Sequence, residues 1–202
     1  RDPFLLNPKG SVSELQRESG KDSIKIKWID EAKKWSGLGL FAVANTRVVR
    51  RSAALMEMSQ KPYGANFIFK EHGAYSSKSA ARLATFGLIA AFLIISTPLK
   101  HLVRRFLPKP GEGPSTEIQE KGWFKGVFIT EAEDGEKQVS TIYGDGDPGY
   151  KSTSKMVCES ALTIALCNDL PGGENFGGFL TPASGLGKPL IERLENAGIR
   201  FQ

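Results

Sequence analysis

The chain has 202 residues, 40% of them hydrophobic and 24% charged, an ordinary globular composition with room for one good core or two small ones. Its net charge of +5 is moderate, and the densest cations, Arg47, Arg50 and Arg51 and then Lys100 to Arg105, are split between two helical patterns instead of forming one stripe. With no base-reading motif beside them, a nucleic-acid partner is not expected.

Cys158 and Cys167 fall too far apart on one helical pattern to bridge, which favours a reducing, intracellular compartment. His72 and His101 have no companion ligands at useful spacing, so no metal site is expected. The opening Arg1-Asp2-Pro3 shows neither an initiator Met nor a signal-peptide pattern, and points to a start inside a longer polypeptide.

Residues 1–22 are polar, rich in Gly and Pro and without a sustained period, the pattern of a linker. From Ser23 to Asp30, Ile24, Ile26 and Trp28 alternate with Lys25 and Lys27, which predicts an antiparallel strand with one wet face. Asn45 is a competent N-cap for a helix reaching about Ser59, with Val48, Val49, Leu55 and Met56 as its apolar stripe. Arg47, Arg50 and Arg51 lie at i, i+3 and i+4, so their guanidinium groups share one side of that helix as a candidate anion clamp. A solvated basic face is the alternative. Asn66 to Glu71 reads as a second strand, with Phe67 and Phe69 on one face.

Ser76 or Ser77 caps the long apolar helix, whose run Leu83–Leu99 is roughly 17 residues, at the bottom of the range that spans a hydrocarbon core. Its large apolar residues favour insertion by about 4 kcal/mol together, which Thr85, Gly87, Ser96 and Thr97 erode, and Pro98 interrupts the helix. Beyond Pro98, Leu99, Leu102, Val103, Phe106 and Leu107 oppose Lys100, Arg104 and Arg105, a basic amphipathic piece suited to an anionic membrane surface. Phe92, Leu93, Ile94, Ile95, Lys100, Arg104 and Arg105 are therefore the candidate membrane-contact residues, in a segment expected to dock into one leaflet instead of crossing. A fully buried core helix is the competing reading.

After a Pro/Gly connection at 108–114, Trp123–Thr130 and Lys137–Tyr143 form a predicted hairpin around Asp134-Gly135. Ser152 or Thr153 opens a helix with Met156, Val157, Ser160, Ala161 and Ile164 inward, and the cysteines on it read as small core residues. Pro189 starts the last helix, Leu190, Ile191 and Leu194 face inward, Gly198 fits the position after its end, and Ile199 to Phe201 can close as a strand. These elements predict one α+β domain, residues 23–78 and 115–202, with a largely antiparallel sheet, helices on one face, and a protruding apolar helix at 79–107.

Gly144-Asp145-Gly146-Asp147-Pro148-Gly149 satisfies G-x-G-x-x-G between a strand and a helix. Asp145 and Asp147 would point carboxylates at a pyrophosphate, and Pro148 removes a donor, so the loop reads as a turn and not as a dinucleotide site.

NTRVVRRSAAL (Asn45 to Leu55), PGEGPS (Pro110 to Ser115), GDPGYKSTSKMVCESAL (Gly146 to Leu162) and GGFLTPASGLGKPLIERLENAGIRF (Gly177 to Phe201) resemble the C-terminal half of the saccharopine dehydrogenase-like oxidoreductases. The resemblance runs in order over nearly the whole chain, and the family's relatives include trans-acting enoyl reductases of lipid biosynthesis. Its members carry an N-terminal Rossmann domain that binds NAD(P), which has no counterpart in this chain. The resemblance thus implies the substrate-side half of an oxidoreductase acting on an apolar substrate, with no cofactor expected on this half alone. It also implies a missing Rossmann domain or partner chain, and association with a membrane or lipid droplet through the apolar helix. Asn45, Arg47, Arg50, Arg51, Tyr150 and Lys151 are the candidate substrate-side contacts; Tyr150 and Lys151 could donate a proton, or could be turn residues. The alternative function is a non-enzymatic membrane-surface scaffold that has lost its nucleotide-binding domain.

Overall fold

The computed structural model describes residues 2–64, 66–104, 109, 111–171 and 177–202. The chain divides into two compact units, Arg1–Pro110 and Gly111–Gln202.

In the first unit, α1 (Glu14–Ser19) opens with a reciprocal capping box between Ser13 and Gln16. The sheet is β1 (Trp28–Ile29), β2 (Lys34–Gly37) and β3 (Gly73–Tyr75), antiparallel throughout. The strand expected over Ser23–Asp30 shrinks to two residues, because Ser36 secures the next position itself: its hydroxyl accepts from the Lys27 N–H and donates to the Lys27 carbonyl. Trp28 sits opposite Trp35, their rings edge-on at 5.7 Å. The strand expected over Asn66–Glu71 does not form. The Phe67 and Phe69 carbonyls are taken by the side chains of Gln16 and Arg50, and residues 73–75 pair with β2 in its place.

Helix α2 spans Ala42–Met58, starting ahead of the expected cap at Asn45, whose amide donates to Glu71 Oε1 at 3.0 Å. Helix α3, Lys78–Ile95, is capped by the Ser77 hydroxyl, which accepts from Ala80 N–H. It packs on the sheet through its first turns only: Ala81 and Thr85 are buried, and Thr85 Oγ1 accepts the Leu38 N–H at 3.0 Å. Gly37 permits this approach, since a Cβ there would meet Thr85 Oγ1 at 2.8 Å. Within its own unit α3 is thus no core helix. It ends just before Pro98 and is followed by α4 (Lys100–Val103).

The second unit begins with α5 (Thr116–Lys121), an unpredicted turn of helix capped by Ser115. Strands β4 (Trp123–Glu131) and β5 (Lys137–Asp145) form the expected hairpin in continuous register from Trp123↔Asp145 to Glu131↔Lys137, and β6 (Arg200–Phe201) pairs with β5 at Ile142↔Phe201. Gly135 supplies the positive φ of the turn. Helices α6 (Lys151–Leu166), α7 (Pro182–Gly185) and α8 (Gly187–Asn196) complete the unit. Leu186, Leu190, Leu194 and Ile199 are its buried core, with Phe124, Ile142, Met156 and Phe201 packed on them.

The α+β class is therefore correct, but the strands lie in two three-stranded antiparallel sheets, one in each unit, and not in one sheet. Several inward assignments also fail. Val157 and Ile164 are 62% and 64% exposed, Ile191 is exposed, and Cys158 is an exposed free thiol. Met156 does pack on the core, but the fully buried residues of α6 are the polar Ser152 and Thr163, and Glu159 pairs with Arg193 of α8 at 2.9 Å.

Candidate functional site

Two of the three arginines of α2 meet one acid that the sequence does not flag. Asp22 receives Arg47 Nη1 on one carboxylate oxygen and Arg50 Nη2 on the other, each at 3.0 Å. Arg50 is only 3% exposed. It also donates to the Pro3 carbonyl at 3.0 Å and the Phe69 carbonyl at 3.1 Å, and its guanidinium lies 5.2 Å from the centre of the Phe4 ring. Arg47 donates to Val43 O, and Arg51 to Leu6 O.

The guanidinium groups therefore tie the leading segment to α2. That segment, expected as a linker, contributes buried Phe4 to the unit. An open hollow of about 380 Å³ beside it is lined by Asp2, Pro3, Phe4, Arg17, Lys21 and Asp22, a wall of both charges. The periodicity of Arg47, Arg50 and Arg51 is legible in sequence. Their partner is not, because Asp22 lies 25 and 28 residues away from the two arginines it binds.

The glycine-rich loop between β5 and α6 is organised around Asp147. Its carboxylate accepts the N–H groups of Gly149, Tyr150 and Lys151 at 2.9 to 3.1 Å, the donors that a helix N-terminus would otherwise aim at a phosphate. The hydrogen bonds from Lys151, then Tyr150 and Gly149, hold the Asp147 carboxyl below its ordinary range, against the opposing effect of burial. The loop is also tightly built. Buried Ser152 donates to the Gly146 carbonyl at 3.0 Å, and a Cβ on Gly122 would meet the Asp147 backbone at 2.5 Å. The site thus does not fit a dinucleotide pyrophosphate: its anion is internal.

Tyr150 and Lys151 flank this cap. Tyr150 is exposed, and Lys151 pairs with Glu120 of α5. Asn45, bonded to Glu71, belongs to the first unit, as do the three arginines. The candidate polar contacts therefore fall into two groups on separate units.

The third feature is α3, which among the described residues is the one helix long and apolar enough to cross a membrane by length and composition. Phe92, Leu93 and Ile95 are exposed, Ile94 is half-buried, and Lys100 and Arg104 are exposed beyond them. Arg105 lies outside the described residues.

The chain is similar along its whole length to mycobacterial trans-acting enoyl reductases. A Mycobacterium tuberculosis protein provisionally given that name is 33% identical over 214 residues, covering 100% of this chain and 49% of its own length. The trans-acting enoyl reductase of Mycobacterium bovis is 32% identical over 213 residues, covering 98% of this chain and 49% of its own. That of Mycobacterium leprae is 32% identical over 173 residues, covering 82% of this chain and 40% of its own. The chain spans about half the length of the curated relatives it matches. No family model matches it, and no solved structure does.

Proposed function

We propose that this chain is the substrate-side part of an NAD(P)-dependent oxidoreductase of the enoyl-reductase type, saccharopine dehydrogenase-like in its full architecture and acting on an apolar, lipid-like substrate. The observation that carries the reading is the 32–33% identity, from end to end of the chain, to proteins named trans-acting enoyl reductases. The nicotinamide supplies a hydride when bound. The geometry of the glycine-rich loop Gly144–Gly149, whose donors are turned onto Asp147, is why the dinucleotide is assigned to a partner domain or chain and not to this part. Arg47, Arg50, Arg51 and Asn45 on one unit, and Tyr150 and Lys151 on the other, remain the polar candidates for contact with the substrate or that partner. Helix α3, with Phe92 to Ile95 and the cations after it, supplies contact with a membrane or lipid-droplet surface, where an apolar substrate is concentrated.

The test is a spectrophotometric assay of nicotinamide oxidation by the full-length protein with α,β-unsaturated acyl thioesters of increasing chain length. Turnover that rises with chain length is expected, together with no saturable NAD(P) titration of the present chain by calorimetry. A full-length protein that binds neither NADH nor NADPH would overturn the enzyme reading, and tight binding to this chain with protection of Gly144–Gly149 would overturn the division of labour.

A further inference from the structure

The packing of α3 also bears on how it meets lipid. We infer that α3 lies flat on an anionic phospholipid leaflet through the stripe Leu83, Phe86 and Leu93, and that its docking on sheet β1-β2-β3 keeps it from crossing. This rests on the lipid contact proposed above and adds the contacting face, the orientation and the cause of both.

The face follows from helix geometry. At about 100° per residue, buried Ala81 and Thr85 mark the side held by the sheet, Leu83 and Ala90 lie on the opposite side, and Phe86 and Leu93 flank them on one edge. Leu83, Phe86 and Leu93 are 77%, 65% and 59% exposed. The depth follows from the same packing. Of the 18 residues in α3, 10 follow Thr85, the last of its buried residues. Those span about 15 Å, half of a hydrocarbon core of about 30 Å. Crossing would require peeling Ala81 and Thr85 from the sheet and breaking the Thr85–Leu38 hydrogen bond.

The partner is set by charge. Between Glu71 and Glu112 the sequence contains no carboxylate, while Lys78, Arg82, Lys100, Arg104, Arg105 and Lys109 all fall there. The cations flank both ends of the apolar run, where a helix lying in the plane can place them among headgroups. A protein groove would be expected to meet such a segment with its own acids, whereas an anionic leaflet supplies apolar depth and negative charge together.

The experiment uses the chain as it is, floated with phosphatidylcholine vesicles with or without phosphatidylglycerol. Binding is expected to need the anionic lipid, with each cation worth about fivefold at low salt. The triple variant Leu83→Gln, Phe86→Gln, Leu93→Gln should bind about tenfold or more weakly with unchanged helicity. The control Val157→Gln with Ile164→Gln removes equally exposed apolar residues of α6 and should bind like the parent.

In a Cys158→Ser, Cys167→Ser background, a fluorophore on Ser79→Cys and one on Thr97→Cys should both be bleached by dithionite added outside. Protection of the Thr97→Cys label alone means a crossing helix and overturns the inference. So does equal loss of binding in the α6 control. A parent chain that binds no vesicle removes the lipid partner while leaving the thioester assay of the full-length protein untouched.

Discussion

Replacing Arg50 by Met separates the two roles its position allows, a brace within the fold and a ligand for an external anion. Met keeps the apolar stem and removes the guanidinium, with its bonds to the Pro3 carbonyl, the Phe69 carbonyl and Asp22. Bonds to a charged group contribute about 1.5–3 kcal/mol each, offset by the several kcal/mol that burial of the cation costs. Breaking a buried pair from one side costs about 3–5 kcal/mol, and the low end applies here. Asp22 is 33% exposed in its side chain and keeps Arg47.

The expected loss is thus about 3 kcal/mol, a fall in Tm of about 6–12 °C for a chain of this size. Asp22→Asn, losing a partly exposed charge, should lose about 1 kcal/mol. Urea titration followed by circular dichroism measures both, with and without millimolar pyrophosphate. If Arg50→Met melts within about 0.5 kcal/mol of the parent, a change of the size seen at ordinary surface positions, and pyrophosphate stabilises the parent alone, the brace is refuted and the guanidinium serves a ligand.

Two further outcomes follow from the geometry. The Asp147 carboxyl titrates below its unfolded value, so its contribution is complete above about pH 4 and is lost as the pH falls through the depressed folded value; Asp147→Asn should flatten that acid limb in a series of urea midpoints, and an unchanged limb would show that the cap is not charged. Thr85→Val keeps the volume but strands the Leu38 N–H, which should lower stability by about 1–3 kcal/mol and speed hydrogen exchange at the Leu38 amide; unchanged exchange there would mean that α3 is not held by this bond.

Local signals were legible wherever short-range chemistry decides. Asp134-Gly135 between two alternating runs determined a hairpin, and Ser77 a helix start. The α+β class and the apolar character of Lys78–Ile95 were likewise in the sequence, because both depend on periodicity and composition alone.

What the sequence left open depends on distant partners. Asn66–Glu71 has the alternation of a strand, but Gln16 and Arg50 reach its carbonyls first and β2 pairs with Gly73–Tyr75. Ile164 and Val157 have helical spacing, yet α8 offers Arg193 to Glu159 and both stay exposed. The arginine triplet showed a shared face but not that Asp22 of the leading segment pairs with Arg47 and Arg50, and only the seating of Ala81 and Thr85 on β2 and β3 divided α3 into a packed half and an exposed one. Periodicity says which residues share a face, and tertiary contact alone decides what that face meets.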